Sequence, residues 1–137
     1  MIREATVEDI PACLGMGKAF ADEAGVTDRV GWDDGAAKRL LRMLIEAPYG
    51  ILLMGDNGMI GGMVFPHPYA GTMVFQELFW RSHGVEGVKL LKEAEKRAQA
   101  LGATLSIMIG MDSLPDLGRL YARQGYEPME RLYGKGL

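Results

Sequence analysis

The feature that most constrains this sequence is the stretch from Gln76 to Leu91, QELFWRSHGVEGVKLL. An apolar run over residues 72–80 predicts a strand, and the glycine-bearing turn after it leads into a helix that extends to about residue 101. The first N–H groups of a helix have no intrahelical partner and the helix dipole makes that end positive, so such a join can bind a phosphate. A plain connecting turn has the same pattern, and both interpretations stay open at this point.

Composition limits the classes of protein that the chain can represent. With 137 residues and 48% hydrophobic content, it is predicted to form one globular domain over residues 1–137. The net charge of -3 argues against a nucleic-acid-binding surface. A single cysteine, Cys13, excludes an intrachain disulfide framework, and its place on an apolar helical stripe predicts a core residue. No signal-peptide pattern or membrane-length apolar run is present, so we expect a cytoplasmic protein without a membrane partner.

Hydrophobic periodicity and turn residues predict strands and helices that are interleaved along the chain. Asn57-Gly58 predicts a tight hairpin, and the apolar run 104–111 predicts a central strand because both of its faces are apolar. A further helix is predicted to begin at Ser113 and to end at Gly125. The predicted fold is an α/β mixed, mainly antiparallel twisted sheet of six to seven strands with four helices. Helices are expected at 7–23, 34–47, 84–101 and 113–125, and strands at 2–5, 51–54, 59–65, 72–80, 104–111, 126–128 and 130–135.

This order of elements resembles the GNAT family of N-acetyltransferases. The segment Arg81 to Gly87, followed by Leu90-Leu91, is similar to the family's Arg/Gln-x-x-Gly-x-Gly/Ala motif and its pair of leucines. The segment LYARQGYEP, residues 120–128, resembles the family's Tyr-x-x-x-Gly-Phe segment, and IREATVEDI is similar to its first strand and helix. The likeness extends over essentially the whole chain.

The resemblance implies an enzyme that transfers an acetyl group directly from acetyl-CoA to a primary amine of a small molecule or a protein. It also implies that the pantetheine arm of acetyl-CoA lies beside the strand and that its pyrophosphate lies on the following turn, where His83 could help to bind phosphate. No metal is implied, and a homodimer is common in the family. The residues placed at the cofactor are Leu78, Phe79, Trp80, Arg81, Ser82, His83, Gly84, Val85, Glu86, Gly87 and Val88.

Two residues carry the expected acid–base chemistry. Tyr121 matches the family's tyrosine, which protonates the departing thiolate, although a core tyrosine would fit the same position. Glu77 is the candidate general base, because apolar neighbours on its strand would raise the pKa of its carboxyl group. Unbroken alternation would place it on one face with Met73, Phe75 and Phe79, and a bulge would change that placement. A structural or substrate-orienting carboxylate, or a water relay without a dedicated base, would also fit.

Some features depart from the family pattern. The second glycine of the turn, Gly87, comes three residues after Gly84 where the family has two, and Leu114 stands where many members have an asparagine. An alternative is therefore a non-catalytic GNAT-like domain that binds CoA or a protein partner. The polar loop at residues 22–34 contains Asp22, Glu23, Asp33 and Asp34, which could receive a cationic acceptor or simply face solvent.

Overall fold

The computed structural model describes residues 1–111 and 116–137. Five strands form one sheet in the order β1-β2-β3-β4-β5. The pairs β1–β2, β2–β3 and β3–β4 are antiparallel and the pair β4–β5 is parallel, so the mixed and mainly antiparallel sheet is confirmed. The strands are β1 (Arg3–Glu4), β2 (Gly50–Met54), β3 (Met59–Pro66), β4 (Met73–Arg81) and β5 (Leu105–Ile107).

Five α-helices connect or flank these strands, and a 3-10 turn (Val7–Asp9) precedes the first of them. Capping explains the start of α3 and of the 3-10 turn: Asp33 accepts a hydrogen bond from the Ala36 N–H, and the backbone N–H of Thr6 donates to the carboxylate of Asp9. The helices are α1 (Ile10–Glu23), α2 (Val26–Val30), α3 (Asp34–Glu46), α4 (Val85–Ala100) and α5 (Leu117–Arg123).

The core consists of two hydrophobic clusters. The first joins α1 and α3 to the sheet, and Cys13 lies in it as a fully buried residue, as predicted. The second joins α4 to the sheet through the buried residues Leu90, Leu91, Ala94 and Ala98. Helix α4 is thereby fixed directly after the end of β4, which is the join that the sequence singles out.

The strand count and the place of β5 differ from the prediction. The described residues form five strands and five α-helices where six to seven and four were expected, and the run 104–111 forms only the short strand β5. Within the described residues β5 is an edge strand, with Leu105 42% exposed, so its apolar composition does not reflect a central position. Segments 126–128 and 130–135 form no strand; Pro128 lacks an N–H donor, and Gly134 weakens any ladder there.

The loop between the first two predicted helices contains the extra helix, α2. It begins after Gly25, which has a φ of 77°, and ends at Gly31, which has a φ of 82°. One turn of helix between two glycines leaves no periodic pattern for sequence reasoning to detect. Ser113 and Leu114, which the sequence analysis singled out, lie outside the described residues.

Candidate active site

The candidate site lies where β4 and β5 separate. The two strands pair over only three residues each, from Val74 with Leu105 to Gln76 with Ile107. Past this point the backbone of residues 108–111 leaves the ladder. The side chains of Glu77 and Tyr121 fill the gap that opens.

A β-bulge lies beside the gap. In the pairing of β3 with β4, Gly62 faces Glu77 and Gly61 faces Phe79, so Leu78 has no partner. Glu77 therefore stays on the face of Phe75, while Phe79 packs in the opposite cluster, against expectation. The extra residue breaks the alternation that would have kept Phe79 with Phe75.

Glu77 is a buried carboxyl group that accepts a hydrogen bond from the backbone. Its side chain is 3% exposed, and its Oε2 accepts a hydrogen bond of 3.2 Å from the Ile109 N–H. Burial raises the pKa of Glu77 to about 7, although the bond from Ile109 opposes this shift. A carboxyl group with this pKa can take up and release a proton near neutral pH.

Tyr121 reaches the same residue from α5. Its hydroxyl donates a 2.7 Å hydrogen bond to the Ile109 carbonyl oxygen. Burial raises the pKa of Tyr121, and the nearby charge of Glu77 raises it further, so the hydroxyl keeps its proton at neutral pH. The two candidate acid–base groups thus bind the N–H and the C=O of one residue, Ile109, a link that no sequence pattern indicates.

Two buried donors at the end of β4 have no hydrogen-bond partner among the described residues. They are the indole N–H of Trp80 and the Nε of Arg81. The Trp80 ring centroid lies 6.0 Å from that of Tyr121, and Arg81 donates through Nη2 to Glu23 at 3.1 Å. A buried donor without a partner costs about 1–3 kcal/mol, so this end of β4 has hydrogen-bonding capacity that a ligand could use.

The turn that follows β4 has the geometry of a helix start. Gly84 has a φ of 65°, a conformation that favours glycine, and directly precedes α4. The N–H groups of Val85 and Glu86 belong to the first turn, which has no intrahelical acceptor for them. Gly87 is buried, and a Cβ there would lie 2.2 Å from Ser82 Oγ, so the turn packs closely on itself.

Glu86 has a structural contact that the sequence analysis did not foresee. Its carboxylate accepts hydrogen bonds from the Asp56 N–H at 2.8 Å and the Asn57 N–H at 2.9 Å, in the β2–β3 hairpin turn. A Cβ at Gly55 would lie 2.5 Å from the Glu86 carboxyl carbon. The hairpin therefore supports the turn before α4. The contact requires a residue without a Cβ at position 55, and Gly55 is the sequence signal that could have indicated it.

The other predicted cofactor residues lie in different environments. Leu78 is 38% exposed and Val85 is 74% exposed, His83 is exposed, and Val88 is half-buried. Phe79 is buried in the core, where its ring occupies the space that a Cβ of Gly61 would need. A cavity of about 130 Å³ lies against Glu77, Trp80 and Tyr121. Across residues 1–111 and 116–137, no group of three potential metal ligands is present.

Known proteins resemble this chain in fold but not in sequence. The sequence matches no protein-family model and no curated protein. Solved structures do match the whole chain in fold. A transcriptional regulator from Bacillus halodurans is 21% identical with a TM-score of 0.74, covering 100% of this chain and 99% of that one.

Two acetyltransferases are also among these structures. A ribosomal-protein-alanine N-acetyltransferase from Brucella melitensis is 17% identical, with a TM-score of 0.71 and coverage of 100% and 99%. The aminoglycoside N-acetyltransferase AAC(6')-Iy, in complex with a bisubstrate analogue of CoA and acetylneamine, is 15% identical, with a TM-score of 0.74 and coverage of 100% and 97%. The chain therefore has the fold of the GNAT N-acetyltransferases.

Proposed function

We propose that this chain is an acetyl-CoA-dependent N-acetyltransferase that moves the acetyl group directly to a primary amine. The observation that carries the proposal is the meeting of Glu77 and Tyr121 at Ile109, in the gap between β4 and β5. The pKa of Glu77, raised to about 7 by burial, suits a group that removes a proton from an amine. The fold shared with known acetyltransferases supports the same reaction.

In the proposed reaction Glu77 is the general base. The amine must be neutral to attack, so Glu77 accepts a proton from it, and the nitrogen forms a bond to the thioester carbonyl carbon. The carbon–sulfur bond then breaks, and the sulfur leaves as a thiolate. Because the whole exchange takes place between two bound substrates, no covalent bond to the protein is required.

Tyr121 is the proposed proton donor to the sulfur. It is 8% exposed and keeps its proton at neutral pH, as a general acid must. Its hydroxyl at present donates to Ile109, so transfer requires the hydroxyl to rotate from that carbonyl toward the sulfur. The rotation would leave Glu77 in place, since Glu77 binds the N–H of Ile109.

The end of β4 and the start of α4 would hold acetyl-CoA. The unpartnered donors of Trp80 and Arg81 suit the amide and phosphate oxygens of this substrate, and the first-turn N–H groups of α4 add further donors. The Glu86 carboxylate lies in the same turn, but it is already bound to two N–H groups of the hairpin. These hydrogen bonds hold its negative charge toward the hairpin.

A second candidate is a non-catalytic domain that binds CoA or a protein partner. Two observations favour it: one structure with this fold comes from a transcriptional regulator, and the Tyr121 proton is committed to Ile109. The raised pKa of Glu77 favours the enzyme, because burying a carboxyl group opposes folding and strongly shifted pKa values are concentrated at functional sites.

Calorimetric titration of acetyl-CoA and of CoA tests the cofactor site. Val85 is 74% exposed at the first position of α4, so Val85→Glu adds a negative charge without disturbing the core. We expect acetyl-CoA to bind the unmodified protein and Val85→Gln alike, and to bind Val85→Glu at least tenfold more weakly. Equal binding by all three proteins would place the phosphates elsewhere, and no binding by any of them would overturn the proposal.

A further inference from the structure

The cavity beside Glu77 has mainly apolar walls. Its described side chains come from five parts of the fold, and besides Glu77 and Tyr121 the described lining is apolar or aromatic, as in Phe20, Val26 and Leu117. A cationic group enters such a space only if a negative partner compensates for the water it loses. Within the described lining, Glu77 is the one carboxyl group available for that purpose.

The acidic residues at the end of α1 have other partners. Asp22 accepts hydrogen bonds from Lys18 at 2.6 Å and from Thr27 at 2.7 Å. Glu23 forms an ion pair with Arg81 at 3.1 Å. Each of these two carboxylates therefore already has a cationic partner within the protein.

Asp33 and Asp34 are likewise committed to local structure. Asp33 caps α3 through the Ala36 N–H at 2.6 Å, and Asp34 accepts from the Trp32 indole N–H at 2.6 Å. Of the two interpretations left open for this acidic loop, a cationic acceptor site or a solvent-facing surface, these local hydrogen bonds do not favour the acceptor site.

The cavity size sets a second limit on the acceptor. Its volume is about 130 Å³. An engineered protein cavity of about 150 Å³ with apolar walls holds one benzene molecule. The space beside Glu77 thus suits a single six-membered ring or a short alkyl chain.

From these observations we infer that the acceptor is a small monoamine with an apolar body, of the benzylamine type, and that Val26 is a specificity-determining residue. This inference rests on the proposed function and narrows it to one class of amine. The ring or alkyl chain would pack against Phe20, Val26 and Leu117, with the nitrogen toward Glu77. Polyamines and amino sugars would have to bring additional charges against these same apolar side chains.

The test compares acetyl transfer from acetyl-CoA to benzylamine and to spermidine. Both Val26 and Val30 lie in α2, but Val26 lines the cavity and Val30 is 80% exposed. We expect kcat/KM to be at least tenfold higher for benzylamine. Val26→Asp should reduce that ratio at least tenfold by adding a carboxylate to the wall, whereas Val30→Asp should leave it unchanged. Preference for spermidine by the unmodified protein, or equal effects of the two substitutions, would overturn the inference while leaving acetyl transfer established.

Direct calorimetric binding of benzylamine, without acetyl-CoA, separates the inference from the proposed function. A dissociation constant that changes at least tenfold in Val26→Asp and stays unchanged in Val30→Asp supports the cavity as the amine site, even if no transfer is detected. Absence of benzylamine binding to the unmodified protein overturns the inference, whatever the result with acetyl-CoA.

Discussion

At the scale of single residues, the site depends on one peptide segment that has left the sheet. Ile109 donates its N–H to Glu77 and accepts through its C=O from Tyr121. Sequence reasoning selected Glu77 and Tyr121 separately, one from its apolar strand and one from a motif. Their common partner could not be predicted, because it depends on how far β5 follows β4.

Glu77→Gln tests the base through the pH dependence of the rate. A base acts when it is deprotonated, so kcat/KM should rise with pH up to a pKa of about 7 and then level off. The substitution should lower kcat about 100-fold and remove this rise. Steady-state rates between pH 5.5 and 9 measure the effect, with Glu127→Gln on the exposed C-terminal segment as the control. A rise that persists in Glu77→Gln would assign the titration to another group.

Tyr121→Phe tests the acid. Loss of the hydroxyl should lower kcat about 100-fold and leave the dissociation constant of acetyl-CoA nearly unchanged, because the ring remains in place. The Ile109 carbonyl would lose its donor, at a cost of about 1 kcal/mol in the free energy of unfolding. Turnover, calorimetry and thermal unfolding measure the three quantities. A parallel loss of turnover and affinity would mean that Tyr121 only shapes the site.

At the scale of secondary-structure elements, the β2–β3 hairpin acts as a support for the turn before α4. Glu86 binds two hairpin N–H groups, and a Cβ at Gly58 would lie 2.5 Å from the Arg81 carbonyl oxygen. The hairpin itself was predictable from Asn57-Gly58, since its turn is a local property. Its hydrogen bonds to a residue 29 and 30 positions later are tertiary contacts, which local patterns do not show.

Gly55→Ala should break this support. The added Cβ would displace the Glu86 carboxylate and free two N–H groups, so the free energy of unfolding should fall by about 1–2 kcal/mol. Gly15→Ala is the matched control: it lies in α1 with no atom within 4 Å of the new Cβ, and it should gain about 0.5–1 kcal/mol. Chemical denaturation measures both changes.

The double mutant identifies the cause of the Gly55 effect. In a Glu86→Ala background, Gly55→Ala should cost little, because the carboxylate that it displaces is already absent. An equal cost in both backgrounds would attribute the loss to backbone strain in the hairpin.

At the scale of the whole molecule, the sheet was predictable where neighbouring strands are also neighbours in sequence. β2, β3 and β4 follow one another through short connections, and their positions agree with the sequence pattern. β5 was expected to be central because it is apolar, yet it is three residues long and lies at the edge of the described sheet. An apolar strand indicates that its side chains are buried, whatever part of the fold covers them. Apolar composition therefore cannot distinguish a central strand from an edge strand beside the candidate site.

The helical framework was predictable for the same local reason. Amphipathic stripes in α1, α3 and α4 are long enough to repeat, and all three helices lie where the sequence indicates. No helix in the described parts of the chain is long and apolar enough to cross a membrane. The sequence does not predict how the helices are placed against the ends of the strands. That placement brings the residues of the candidate site together.

The unpaired Leu78 has a consequence for how this chain can change during evolution. The residues before and after it already alternate in phase with β3, as the pairs Gly62–Glu77 and Gly61–Phe79 show. Loss of the Leu78 codon would therefore leave every core side chain on its present face and would remove only the kink beside Glu77. One in-frame deletion can therefore remove the bulge beside the candidate site while Glu77 and Phe79 keep their present faces.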